Sequence, residues 1–168
     1  MTGGAADPGE RFVRLSAAVR LRRRQVAQVV DEARQALTEF SEDGPPLLEL
    51  RGMGAILHDF YTGIEHIFET IAPELNGGLP AGEAWHRELL TSMTLDLPGV
   101  RPPVLREDTA HALDEFLRFR HLFRNVYGFE LEWPRVRNLL ERLPTAWSEV
   151  EADLDRFLAF LDATATQG

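Results

Sequence analysis

The stretch "ILHDFYTGIEHIFETIA" spans Ile56 to Ala72. Its apolar residues Ile56, Leu57, Phe60, Ile64, Ile67, Phe68 and Ile71 recur at intervals of three and four. That repeat puts them on one face of a helix, and it lacks the strict alternation of a half-buried strand. Met53 extends the stripe backwards, so a single helix is predicted from about Leu47 to Leu75. An apolar face of this length needs partners to cover it.

The rest of the chain supplies them. Upstream, Phe12, Leu15, Val19, Val26, Val29, Val30, Ala33, Leu37 and Phe40 mark a first helix that ends before "SEDGPP". Downstream, "NGGLPAG" breaks the chain, and a shorter helix follows from Glu83 to about Leu95. "DLPGVRPP" reads as a linker. A fourth helix runs from about Glu107 to Tyr127 and stops at Gly128, a residue suited to a left-handed C-terminal position. Pro134 opens the last helix, which runs to about Asp162 with an interruption or kink expected before Pro144. No strand pattern persists and no segment repeats. The expectation is an all-α, antiparallel bundle of four to five helices. Residues 10–163 form its one domain, behind a disordered N-terminus at 1–9 and ahead of a flexible tail at 164–168.

Composition narrows the function. The chain has 168 residues, 44% of them apolar, which is enough for one sizeable core. It has no cysteine, so a disulfide scaffold, a thiolate metal site and a cysteine nucleophile are excluded, and a reducing, cytoplasmic setting is expected. No apolar run is long enough to span a membrane, and "MTGGAADPGE" has no secretion-signal pattern. The net charge of −9 argues against sequence-blind nucleic-acid binding while leaving room for a local basic cleft.

The cations are unevenly spread. Arg20, Arg22, Arg23 and Arg24 cluster in the first helix, where a solvated face is expected, and Arg118, Arg120 and Arg124 cluster in the fourth. At ~100° per residue with Arg120 at zero, Leu113 lies near +20°, Phe116 near −40°, Leu117 near +60° and Phe123 near −60°. Arg120 is therefore inside the apolar arc. Arg118, His121 and Asn125 flank it, between roughly +100° and +160°. A guanidinium in that arc needs a partner or a wet cleft. Three arrangements meet the need: a buried ion pair with a second-helix carboxylate such as Glu65 or Asp59, a stem that packs while the head reaches water, or an anion-binding cleft between two subunits.

Other constellations are weaker. "EAWH" and "DTAH" place Glu83 with His86 and Asp108 with His111 three apart, the half-motif of a di-iron bundle, with Glu65 and Glu69 as further candidate ligands. Asp stands for Glu in the second of these, near a helix start, so no metal site is assigned and no cofactor is expected. Trp85 and His86 read as a packing pair with a polar tip. His58 and His66, which flank the second stripe, read as structural. No Gly-rich phosphate loop is present, so the chain is not itself a nucleotidyltransferase.

The end of the fourth helix resembles the signature of the HEPN superfamily and, within it, of the HepT-like proteins. That signature is an Arg followed by a polar residue, then a His, any residue and a Tyr. Arg120 matches the Arg, His121 the polar follower and Tyr127 the Tyr, whereas Asn125 stands where the family has His. "ILHDFYTGIEHIFETIA", "GLPAGEAWHRELL", "RPPVLREDTAHALDEFLRFRH" and "YGFELEWPRVRNLLERL" are similar to the family's segments, and the likeness covers roughly residues 10 to 163.

The resemblance implies a homodimer with a composite site at its interface, acting as a metal-independent endoribonuclease toxin. It also implies a small nucleotidyltransferase antitoxin, which in some pairs adenylylates (AMPylation) the motif tyrosine, here Tyr127. On this reading Arg120, His121 and Asn125 are the catalytic candidates, and Arg118 and Arg124 bind the RNA substrate. Metal-free cleavage needs a proton shuttle, which the amide of Asn125 does not provide; His121, one helical turn earlier, is positioned to take that role. The alternative is a catalytically silent helical subunit that binds a nucleotidyltransferase or a nucleotide, and Asn125 is the feature that favours it.

Overall fold

The computed structural model describes residues 7–38, 43–125 and 130–167, with Asn125 described by its backbone alone. Five helices make up the described chain: α1 Pro8–Thr38, α2 Leu47–Leu75, α3 Trp85–Ser92, α4 Glu107–Asn125 and α5 Trp133–Ala165. Among the described residues there is no strand, only an isolated bridge between Leu97 and Arg101. The fold is the expected all-α bundle.

The α2 stripe explains its centre. Helix α2 packs against all four of the others. Leu57, Phe60, Ile64, Ile67, Phe68 and Ile71 are fully enclosed, each contributing about 1.5–3 kcal/mol by leaving water. Phe60 meets the rings of Phe116 on α4 and Trp147 on α5 edge-on, at 5.1 and 6.5 Å, which ties three helices at one point. Gly63 allows α1 to close on α2, because a Cβ there would stand 2.8 Å from Val26. The first-helix residue Phe40 lies outside the described residues.

The observed elements differ from expectation in three places. Helix α3 is shorter than Glu83–Leu95. Residues 83–84 form a turn after Gly82, whose φ is +96°, and the carbonyl of Met93 accepts the returning N–H groups of Val104 and Leu105 at 2.8 and 3.1 Å. Helix α5 carries Pro144 inside an unbroken element that runs past Asp162 to Ala165. Leu143, Ala146 and Trp147 are buried around that proline, and their packing offsets the one lost backbone bond. The linker "DLPGVRPP" contains a buried arginine, Arg101.

Three contacts fix α4, the helix with the interleaved arginines. At its start, Asp153 of α5, which is buried, accepts from the backbone N–H of Arg106 at 2.9 Å and from its Nε at 2.7 Å. A carboxylate there also complements the positive end of the helix. In the middle, Leu113, Phe116, Leu117 and Phe119 are buried within the chain. At its end, Phe123 lies over Gly54 of α2, where a Cβ would stand 2.8 Å from the ring. The apolar arc of α4 is thus consumed by this chain's own core.

Candidate functional site around the fourth helix

Two carboxylates organise the surroundings of α4. The first is Glu65, near the middle of α2 and only 2% exposed. Its Oε1 lies 3.1 Å from Nη2 of Arg120, whose Nε donates to Oγ1 of Thr62 at 3.1 Å. Arg120 is itself 6% exposed. Of the three arrangements open to this arginine, the buried ion pair is the observed one; Asp59, the other candidate, is exposed beside His58. The second oxygen of Glu65 is 2.7 Å from Nδ1 of His86 on α3, so one buried carboxylate joins three helices. The ring of His86 stacks on Trp85, with centroids 3.7 Å apart.

The second carboxylate is Asp114 on α4. It takes Arg87 of α3 on one oxygen at 3.0 Å and Arg118, one turn along α4, on the other at 2.6 Å. Both arginines are more than half exposed, so these bridges orient the side chains more than they stabilise the fold.

Between α3, α4 and the start of α5 lies a cavity of about 450 Å³. Leu117 and Leu122 give it an apolar wall. Arg87, Arg118 and Arg135 bring three cations to it, and His86 and His121 bring two imidazoles. Glu83 also lines it. An apolar wall with convergent cations and imidazoles suits a planar ligand that carries a phosphate.

The predicted site residues therefore separate. Arg118 and His121 come together at the cavity. Arg124 is exposed in the last turn of α4, where a cation is favourable. Arg120 faces the opposite way, into the core. Asn125 is the last residue of α4, and Tyr127 lies outside the described residues. The Glu65–His86 contact and the burial of Arg101 were not expected from the sequence.

One further group borders the buried pair. The hydroxyl of Tyr61 is buried with no hydrogen-bond partner among the described residues. Burial pushes its pKa far above the usual phenol value, and the negative charge of Glu65 adds to the rise. Among the described residues no three His, Asp or Glu side chains converge to hold a metal ion. His66 of α2 stands 3.8 Å from Glu69 instead. No helix of the described chain is long and apolar enough to cross a membrane.

No curated protein and no solved structure matches this chain. A family model described as HepT-like protein matches residues 52–161. That span holds nearly all of α2, all of α3 and α4 and most of α5, and with them Glu65, His86, Arg118, Arg120 and His121. On this match and on its helical bundle, the chain belongs to the HepT-like family of the HEPN superfamily.

Proposed function

We propose that this chain is the toxin of a toxin–antitoxin pair, a metal-independent endoribonuclease working at a composite site between two copies. The observation that carries the reading is the outward side of α4, where Arg118 and His121, on either side of the motif arginine Arg120 in sequence, share one cavity. In this reading Arg118 and Arg124 hold the RNA phosphate by charge-assisted hydrogen bonds. His121 moves a proton, and Asn125 orients a phosphate or a water. Arg120 is a positioning residue: paired with Glu65 behind the surface, it fixes the rotation of α4 that turns Arg118 and His121 outward.

The homodimer uses that same outward side. Two-fold symmetry doubles the cations facing one cleft, so the local potential is positive in a molecule of net charge −9. The antitoxin in this reading is a nucleotidyltransferase that adenylylates Tyr127, two residues after Asn125 in sequence. The added phosphate pairs with the neighbouring arginines and occupies the substrate's place.

A second reading has a specific observation in its favour. Asn125 stands at the motif histidine, and the charge of the motif arginine is already neutralised by Glu65. Both suit a silent subunit that binds a nucleotidyltransferase or a nucleotide. Cleavage of single-stranded RNA in EDTA separates the two. The toxin reading expects cleavage by the wild type, with His121→Ala slower by about a hundredfold or more. An inert, folded wild type that still binds its nucleotidyltransferase establishes the silent subunit instead.

A further inference from the structure

We propose that His86, clamped by Glu65, is a second proton-transfer group of this site and takes the 2′-hydroxyl proton of RNA seated in the cavity. The proposal rests on the ribonuclease reading above and adds to it a residue from α3, outside the α4 motif.

Tautomer comes first. Glu65 is 2% exposed, and its Oε1 is held by the guanidinium of Arg120 at 3.1 Å. A carboxylate so paired is ionised and can only accept hydrogen bonds. The 2.7 Å contact to its Oε2 therefore needs a hydrogen on Nδ1 of His86. In the neutral ring, Nε2 then carries the lone pair. Orientation follows. Trp85 covers one ring face at 3.7 Å and Glu65 holds one edge, so the imidazole is fixed about both directions. Its side chain keeps 20% of its surface exposed, and it lines the same cavity as Arg118 and His121. A base, its orienting carboxylate and a facing cation thus meet at one place.

The step balances without metal or co-reactant. Nε2 of His86 takes the proton from the 2′-oxygen, which bonds to phosphorus. The phosphorus–O5′ bond breaks, and the leaving oxygen takes a proton from the imidazolium of His121. His86 gains one proton and His121 loses one. The products are a 2′,3′-cyclic phosphate and a 5′-hydroxyl, with Arg118 pairing the non-bridging oxygens. Asn125 is then not required to titrate.

The test is His86→Asn, assayed on RNA in EDTA. The amide nitrogen of asparagine stands at the place of Nδ1 and keeps an N–H for Glu65, so the buried carboxylate stays partnered. The expected result is a kcat lower by about 10²–10⁴, with KM changed little. Among the described residues the charged groups near the ring include Glu65 from α2, Glu83 and Arg87 beside it, Arg118, Arg120 and His121 from α4 and Arg135 from α5. None of these is altered by the substitution. A folded His86→Asn protein that cleaves like the wild type overturns the proposal and leaves the ribonuclease reading standing. A wild type inert in EDTA overturns both. If His86→Asn does not fold, ¹⁵N NMR of the wild type decides. The neutral ring should carry its proton on Nδ1, and an uncleavable 2′-deoxy oligonucleotide should shift Nε2. A proton on Nε2, or a ring that the oligonucleotide leaves unmoved, overturns the proposal.

Discussion

Among the described residues two arginines are buried, Arg101 and Arg120, and they meet the cost of burial in different ways. Arg101, in the loop between α3 and α4, gives its protons to neutral oxygens. Nε donates to Asn76 Oδ1 at 2.8 Å, Nη1 to the carbonyls of Leu95 and Pro102 at 2.9 and 3.0 Å, and Nη2 to that of Ser92 at 2.8 Å. Desolvation lowers its pKa, and the charge of Asp96 offsets this in part. Arg120 instead cancels its charge against a buried carboxylate, and that carboxylate reaches on to a histidine at a cavity. The first arrangement closes a loop and leads nowhere. The second connects the core to the surface where chemistry is proposed. Burial of an arginine does not by itself mark a site; the identity of its partner does.

The largest expected effect breaks the second arrangement. Glu65→Ala leaves the guanidinium of Arg120 buried without its counter-charge, a loss of about 3–5 kcal/mol in urea unfolding. It also frees His86, so RNA cleavage should fall in whatever fraction remains folded. Arg101→Ala should cost less, roughly 2–3 kcal/mol, because the oxygens it abandons are neutral. Its folded fraction should cleave RNA at the wild-type rate. Equal unfolding costs and equal losses of cleavage would erase the contrast between the two arginines.

A smaller effect sharpens the contrast through Tyr61, which lies beside Glu65. Its phenol is held protonated in the folded state beyond the pH at which the unfolded chain releases that proton. Stability from this group is therefore complete below the unfolded pKa of about 10 and declines above it, by about 1.4 kcal/mol per pH unit. Tyr61→Phe removes both the titration and an unpartnered buried hydroxyl. It should raise stability at neutral pH by up to about 1 kcal/mol and flatten the alkaline decline in thermal melts. A variant that melts well below the wild type would show that the hydroxyl has a partner that matters.

Much of this was legible in the sequence. The stripe beginning at Met53 and ending at Ile71 placed α2, because a long apolar face allows one period only. The angle of Arg120 showed that it sat inside an apolar arc, and Glu65 was one of two partners the sequence offered. The choice between Glu65 and Asp59 turns on helix packing, which periodicity does not carry. A cleft between two subunits was one of the three arrangements that the arc allowed. In the structure Leu113, Phe116 and Leu117 are buried in the chain's own core, since Glu65 neutralises the arginine from within. Arg101 was invisible because an arginine between Gly99 and Pro102 carries the signature of a solvated turn. Pro144 shows the opposite: local propensity allowed an interruption, and with buried side chains on either side α5 continues as one element.

On the proposed reading, the outward side of α4 works on RNA while its inward side holds the fold. Arg118→Ala separates the two roles, assayed for RNA cleavage in EDTA and for urea unfolding on the same preparation. The Asp114 bridge it removes is exposed on the arginine side, so stability should change by less than about 1 kcal/mol. Cleavage should fall about a hundredfold, the usual loss for one hydrogen-bonding group aimed at a transition state. A folded Arg118→Ala protein that cleaves RNA as fast as the wild type would contradict the account.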